Sequence, residues 1–354
     1  MPATVAVVGG GPAGCATALT LRRYLPEITV VLASLPAPDG PAVGETLSPG
    51  VLPLLNYLGI QDSFLNTGPL PAAGTASAWG SEHVLERSYL FTGRGAGWHL
   101  DRARFDLWLL AQAKAAGTEC LCGRALLGTA TRSGDLWRIP IEGGATLFAG
   151  AIVDATGRSA QFARKQAAPP RRDDALVADI RWYRHDRPER SAPGALVESV
   201  PEGWWYSATL PGQRAVAMFM TDSDLRNQSG WEDRLAYAPA TRARLEPWCP
   251  TGEIGVRAAN SQLSPTVTAD GWVAAGDAAA AFDPISSLGI GFSLRSGMEA
   301  ARVAAAAIER DEGPAAAYTA SIAHIYADYR TRLRRIYQGE RRWPQAPFWA
   351  RRHE

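Results

Sequence analysis

Val5-Ala6-Val7-Val8-Gly9-Gly10-Gly11-Pro12-Ala13-Gly14 decides the fold. The four apolar residues read as a buried strand, and G-x-G-x-x-G follows without a gap. An Ala/Leu-rich helix then runs to about Tyr24, and Ile28-Thr29-Val30-Val31-Leu32 makes the next strand. This is a β-α-β unit of about 30 residues. Gly9 makes the tight turn, Gly11 lets backbone approach a pyrophosphate, and Gly14 lets helix and strand pack closely. Pro12 and Ala13 open the helix, whose free N–H groups and positive dipole end suit phosphates. The unit predicts a dinucleotide site; the bland alternative is a glycine-rich turn of another α/β protein. An acidic ribose ligand is expected about 20 residues on, but that place reads Ala33-Ser34. Ser34 can hydrogen-bond a ribose hydroxyl, more weakly than a carboxylate, and Glu27 and Asp39 are further candidates.

The rest of the composition bounds the answer. A chain of 354 residues predicts about two domains. Apolar residues make up 46% and charged residues 20%, which fits a globular protein and not a disordered one. With 36 basic against 35 acidic residues, no whole-protein field favours nucleic acid. No window approaches the roughly 20 apolar residues of a membrane span, and no basic n-region opens a signal peptide. Four cysteines make no disulfide framework. Cys120 and Cys122 are spaced C-x-C without a second pair, so no metal site is expected and reduced thiols in a cytoplasmic protein are. Cys15 reads as a small buried residue.

Later segments carry further motifs. Val43-Gly44-Glu45-Thr46-Leu47-Ser48-Pro49-Gly50 is a loop before an apolar helix near Pro53–Leu58. Asp101 is a natural N-cap for an amphipathic helix running to about Ala116. Ala151-Ile152-Val153-Asp154-Ala155-Thr156-Gly157-Arg158 is a strand ending in a turn, and Trp272–Ala279 repeats that form around Gly276-Asp277. Asp283-Pro284 then leads through Gly289-Ile290-Gly291 into a helix ending near Glu309.

This set, in this order, resembles the FAD-dependent monooxygenase superfamily with the p-hydroxybenzoate-hydroxylase fold, over about 1–165 and 255–310. The resemblance implies a Rossmann-type α/β domain binding FAD, with an inserted antiparallel sheet for substrate and a C-terminal helical segment. It divides the chain into a discontinuous FAD domain (1–67, 98–165, 255–310), a substrate domain (68–97, 166–254) and a helix and tail (311–354). Asp277 then looks like the carboxylate that binds the ribityl chain, or else a helix N-cap. Gly276, Asp154 and Pro284 fall in the same cofactor motifs. Gly289, Ile290 and Gly291 would set N–H groups and a helix dipole by the flavin pyrimidine edge, favouring reduced flavin. Arg104 resembles an arginine that reaches back over FAD; an exposed ion pair with Asp101 or Asp106 is the alternative. Glu45 would sit beside the isoalloxazine ring, or be a solvated loop carboxylate.

The substrate stretches show short alternating runs between Pro/Gly turns, which fits an antiparallel sheet. Trp204, Trp205 and Tyr206 cannot all face one core in a period-2 strand, so they are read as a pocket wall against the alternative of plain packing. Within the superfamily the motifs resemble two branches: LodB-like flavoproteins, which oxidise tryptophan side chains as tryptophylquinone cofactors are made, and flavin-dependent tryptophan halogenases. Both imply a flavin C4a-hydroperoxide, and halogenases add a lysine that relays hypohalous acid. Lys114 and Lys165 are the only lysines here, and neither shortly follows the Gly44-Glu45 loop. An arginine stays protonated and forms no comparable haloamine. The halogenase W-x-W-x-I-P element is only approximated. Hydroxylation of an electron-rich ring, of an aromatic small molecule or a tryptophan-containing peptide, therefore leads. A halogenase, a geranylgeranyl-reductase-like ene-reductase and a non-catalytic flavin-binding partner are the alternatives. NAD(P)H would supply electrons directly or through a separate flavin reductase, since no second strand-framed G-x-G-x-x-G exists. Of the five histidines only His99 lies near a cofactor motif. The segment Tyr329–Glu354 holds eight arginines among Tyr337, Trp343, Phe348 and Trp349, read as a packed helix and tail or as a docking surface.

Overall fold

Val5–Val8 is fully paired and buried at the centre of a six-stranded sheet in the computed structural model, which describes residues 3–36, 40, 42–89, 95–125, 127–185 and 194–354. The sheet runs β20 (Thr268–Ala269), β21 (Trp272–Ala274), β12 (Ala151–Asp154), β1 (Thr4–Val8), β2 (Thr29–Ser34) and β8 (Glu119–Cys122). All its pairs are parallel except β20 with β21. Such strands need cover on both faces, which explains their unbroken apolar runs. Helices α1 (Pro12–Tyr24) and α8 (Gly289–Glu309), packed closely on each other, supply part of that cover. A Cβ on Gly297 of α8 would lie 2.2 Å from the Ala13 carbonyl oxygen, so glycine is required at the crossing. Helix α4 (Arg102–Ala115) packs beside α1, and Asp101 caps it by accepting from the Arg104 N–H.

A seven-stranded sheet lies over this layer, in the order β18 (Cys249–Ala258), β14 (Leu176–Arg184), β17 (Arg214–Asp222), β16 (Gly203–Leu210), β15 (Ala195–Val200), β5 (Gly74–Ala78) and β6 (Leu85–Ser88). Strand β18 thus continues to Ala258, past the border drawn at 254/255 from the sequence. One sheet face joins the main core through Ala178, Trp204 and Met218. The other is covered by α6 (Trp231–Ala236) and α7 (Pro239–Leu245), with a second core of Trp205, Phe219 and Trp231 between. Among the described residues three small sheets complete the strands: β3 (Thr46–Leu47), β7 (Gly97–His99) and β4 (Leu70–Ala72); β9 (Thr131–Ser133), β10 (Leu136–Pro140) and β11 (Thr146–Ala149); β13 (Arg171–Arg172), β19 (Gln262–Leu263) and β22 (Ala280–Ala281). The short helices α2 (Leu52–Tyr57), α3 (Gln61–Asn66) and α5 (Ala163–Gln166) lie on connections.

The C-terminal segment is part of this fold. Helix α9 (Gly313–Gln338) buries Tyr318, Tyr326, Tyr329 and Tyr337, and α10 (Pro347–His353) buries Phe348 and Trp349. Arg351 and Arg352 both pair with the buried Asp222, at 3.0 and 2.7 Å. Of the aromatic residues read as a docking surface, Tyr337, Phe348 and Trp349 therefore face inward, and Trp343 is half-buried against the core. Among the described residues no helix is long and apolar enough to cross a membrane, and all four cysteines are unpaired.

Candidate functional site

The glycine turn opens a trough at the carboxyl ends of the parallel strands. Gly9 has φ +117°, a conformation L side chains rarely adopt. A Cβ on Gly14 would lie 1.9 Å from the Gly9 carbonyl oxygen, whereas one on Gly11 would meet nothing within 4 Å. Gly14 thus serves packing and Gly11 faces open space. One part of the trough, about 400 Å³, runs past Gly9–Gly11, Ser34, Leu110 and Arg124. The second, about 390 Å³, runs past Pro12, Ala13, Glu45, Arg102, Asp277, Asp283 and Pro284 to Gly289 and Ile290. Gly11, Asp106, Ala155 and Gly157 line both, so the trough is continuous. Its roof over the second part is the seven-stranded sheet, through Ala178, Tyr206, Met218 and Met220.

Two helix N-termini meet the trough without a side-chain cap, α1 at Gly11 and α8 at Gly289. A Cβ on Gly289 would also meet nothing within 4 Å. Each end offers free N–H groups and partial positive charge. An elongated ligand with anionic groups at its middle and at one end fits this layout, as FAD has in its pyrophosphate and its reduced ring.

Glu45 is the outlier of the site. Gly44 turns the chain with φ +94°. Arg102 then pins the loop by donating from Nη1 to the carbonyls of Val43 (2.9 Å) and Gly44 (3.3 Å). Leu100 N–H donates to the Glu45 carbonyl at 2.8 Å. These bonds hold a side chain only 1% exposed whose two carboxylate oxygens lack any hydrogen-bond partner. Burial pushes its pKa up to about 7, against the nearby backbone amide of Glu45, the charge of Arg102 and the amide of Gly44. A buried carboxylate left unsatisfied is costly, so this one is poised for a partner from outside the chain. Beside it, Thr46 Oγ1 lies 2.6 Å from the Tyr206 hydroxyl and 3.3 Å from His99 Nδ1. His99 is buried, its Nε2 lacks a partner, and burial followed by the charge of Arg244 pushes its pKa down to about 4. It is neutral at pH 7.

The structure brings Gly11, Pro12, Ala13, Glu45, Asp277, Pro284, Gly289 and Ile290 to one cavity, with Ser34 in its extension. Asp277 lies 3.5 Å from Arg158 Nε, and burial raises its pKa against Arg158 and Arg102. Other expectations are corrected. Asp154 faces away from the trough: its carboxylate accepts from Thr156 N and Oγ1 and from Phe162 and Ala163 N–H. It builds the turn after β12. Arg104 is exposed, and Arg102, two residues and about 200° earlier on α4, faces the cavity in its place. Asp106 pairs with Arg102 at 3.0 Å and Asp101 with Arg214 at 3.4 Å. Gly276 sits where a Cβ would come 2.8 Å from Ala13 Cβ, which makes it a spacing position; Gly291 follows Ile290 in the first turn of α8 and does not line the cavity. Glu27 is exposed and outside the trough, and Asp39 lies outside the described residues.

Of the three aromatics on β16 only Tyr206 lines the cavity. Trp204 donates from Nε1 to the Tyr337 hydroxyl at 3.1 Å. Trp205 points to the opposite face, its ring 4.6 Å from Trp231 and 5.0 Å from Phe219. Sequence reasoning missed Arg102, Thr46, Arg158 and the methionine roof. The i,i+4 pair Arg102–Asp106 was the available signal for the first. Both lysines are exposed and line neither part of the trough. Among the described residues no group of three or more His, Cys, Asp or Glu could hold a metal ion.

Comparison with known proteins assigns the family. The putative FAD-dependent oxidoreductase LodB of Marinomonas mediterranea is 32% identical over 98% of this chain and 96% of its own length. The chain belongs to this family of FAD-dependent oxidoreductases. The tryptophan halogenase family model matches residues 4–83 of this LodB-like oxidoreductase. The solved structure of QhpG, a peptidyl tryptophan dihydroxylase essential for tryptophylquinone cofactor biogenesis, is 27% identical with TM-score 0.78, covering 99% of this chain and 79% of that one. The flavin-dependent halogenase CmlS has TM-score 0.85 at 21% identity, over 100% of this chain and 68% of that one. That likeness is one of fold.

Proposed function

We propose that this LodB-like oxidoreductase hydroxylates an electron-rich aromatic ring, the indole of tryptophan, with FAD in the trough. One observation carries the reading. The ionisable groups of the cavity include the buried, unpartnered Glu45 carboxylate and arginines, while both lysines are exposed elsewhere. A base suited to deprotonating a ring is present; a neutral amine suited to relaying halogen is not. The 27% identity to a peptidyl tryptophan dihydroxylase supports the same substrate class.

In this reading Gly9, Gly11, Pro12 and Ala13 hold the pyrophosphate, Gly14 lets α1 start close against the turn, and Ser34 takes an adenosine ribose hydroxyl. Asp277 binds the ribityl chain, and Pro284, Gly289 and Ile290 border the flavin's polar edge. FAD, once reduced, supplies the two electrons that split molecular oxygen into one atom for the substrate and one for water. The chain's residues do the rest. Tyr206, Met218 and Met220 form the apolar roof against which a ring can lie. Glu45, as carboxylate, takes the proton displaced from the ring carbon when the C–O bond forms. Arg102 holds its loop and opposes loss of the charge. The parallel-sheet half thereby carries cofactor and the seven-stranded half carries substrate. NAD(P)H supplies the electrons, directly or through a separate flavin reductase.

Asp277→Ala is expected to lose FAD on purification, with yellow holoenzyme at parent occupancy counting against the assignment. Arg102→Ala is expected to weaken FAD binding about tenfold or more, the loss of a charge-assisted contact, whereas Arg104→Ala leaves the fluorescence titration unchanged. The decisive reaction contains the protein, FAD, a flavin reductase, NADH, oxygen and bromide, with tryptophan, indole and a tryptophan peptide. Mass spectrometry is expected to show oxygen added to an indole. A bromine isotope pair would replace this reading by halogenation, which the family match over residues 4–83 favours as second choice.

A further inference from the structure

The cavity wall holds a buried acid to which the reaction above gives no role. Asp283 is 2% exposed and lines the second part of the trough. Two donors hold its carboxylate: Oδ1 accepts from the Ile285 N–H at 2.9 Å, and Oδ2 from the Tyr337 hydroxyl at 2.6 Å. Trp204 Nε1 can only donate and meets the Tyr337 oxygen at 3.1 Å, so the hydroxyl proton of Tyr337 is turned toward Asp283. The main chain is fixed as well. The Asp283 N–H donates to the Tyr329 hydroxyl at 2.8 Å, and the Asp283 carbonyl accepts from Ser286 Oγ at 2.7 Å. Tyr329 and Tyr337 both belong to α9, so the C-terminal helix grips this residue by backbone and side chain.

The turn by itself does not call for a charge. An asparagine would accept the Ile285 N–H equally well, and a carboxylate in a buried wall costs desolvation that an amide avoids. The donors nevertheless suit the ionised form, since hydrogen bonds to a carboxylate are the stronger ones. Burial raises the Asp283 pKa to about 6, against the Tyr337 hydroxyl and the Ile285 amide; Asp174 adds to the rise and Arg352 opposes it. The group is therefore ionised at pH 7. Arg352 itself pairs with Asp222 at 2.7 Å. The uncapped N-terminus of α8 opens soon after, at Gly289, in the same cavity. Its positive dipole end favours an anionic reduced ring, and a fixed carboxylate in the same wall acts in the opposite sense.

We propose that Asp283 is a fixed negative charge that lowers the reduction potential of the bound flavin, and that Tyr337 and Tyr329 are the positioning residues that hold it there. This rests on FAD lying in the trough with its ring near Gly289, and it gives the C-terminal helix a role that the oxygenation reading does not include. Tyr337 keeps the carboxyl ionised by donating to it, and Tyr329 fixes the backbone that carries it. A more negative potential makes the reduced cofactor a stronger electron donor toward oxygen. Helix α9 therefore acts on the oxygen-consuming half of the reaction through Asp283.

The test is the midpoint potential of the FAD-loaded protein at pH 7, read by spectroelectrochemical titration in a double-mutant cycle. Asp283→Asn keeps the size of the side chain and removes the charge. Its potential is expected to rise by about 30 mV or more, a tenfold shift of a two-electron equilibrium toward reduced flavin. Tyr337→Phe keeps the ring against Trp79 and Trp349 and removes the donor. The carboxyl then retains its proton at pH 7, and the potential is expected to rise here too. Added to Asp283→Asn, Tyr337→Phe is expected to change the potential no further. An unchanged or lower potential in Asp283→Asn would overturn the proposal. So would equal shifts from Tyr337→Phe with and without Asp283→Asn, the pattern of a loosened fold. Should Tyr337→Phe not fold, Asp283→Asn alone decides. Shifted potentials in a protein that oxygenates no indole would leave this inference standing and remove the hydroxylation, while oxygenated indole with unshifted potentials would do the reverse.

Discussion

Glu45→Gln is expected to lower ring oxygenation by about 10²–10⁴-fold, the usual contribution of a positioned general base, with FAD still bound. The amide keeps the shape of the side chain and cannot take a proton. The parent activity is expected to rise with pH through about 7, the value to which burial pushes this carboxyl, because the base works in its ionised form. The residual activity of the variant should lack that step. A pH–rate profile of single-turnover oxygenation checks both, and an unchanged profile in the variant would remove Glu45 from the chemistry. The same residue has a stability signature. Its folded pKa lies above the ordinary value of 4.5, so its contribution is complete below about pH 4.5 and is lost as pH rises through about 7. Above that pH the glutamine variant of the apoprotein should be the more stable, by about 3 kcal/mol on linkage grounds. Urea unfolding of both proteins at pH 5 and pH 8 measures the difference.

Trp205→Ala should cost about 3–5 kcal/mol of stability, as large-to-small changes in a packed core do, without altering substrate affinity in the fraction that remains folded. Trp205 is fully buried beneath α6, edge-on to Trp231 and beside Phe219. Nothing of it reaches the cavity. Denaturation followed by flavin fluorescence, together with peptide titration at low temperature, separates the two effects. A variant of parent stability with weakened substrate binding would return Trp205 to the pocket wall that the sequence alone suggested. Tyr206 is the member of that aromatic run with a site position, through its 2.6 Å contact with Thr46 Oγ1.

These two residues show where reading the chain succeeds and where it stops. The β-α-β start, its glycines, the cap at Asp101, the buried Cys15 and the helix from Gly289 to Glu309 were all legible. Each depends on neighbours in sequence: a turn angle, a hydrophobic period, a cap. The lack of a site lysine was legible too, since only two exist in the chain. Which face a residue takes was not. The sequence placed an arginine of α4 over the cofactor, but the rotation of that helix on the sheet selects Arg102 and turns Arg104 to solvent. It offered Asp154 as a ligand, but the fold encloses that carboxylate with four donors of its own turn. It left Glu45 between flavin contact and solvated loop. Only tertiary structure, by closing the seven-stranded sheet and Arg102 around it, strips its water and raises its pKa. Local pattern determined the elements and the cofactor turn. Desolvation and facing, which depend on packing between segments up to hundreds of residues apart, decided the chemistry of the site.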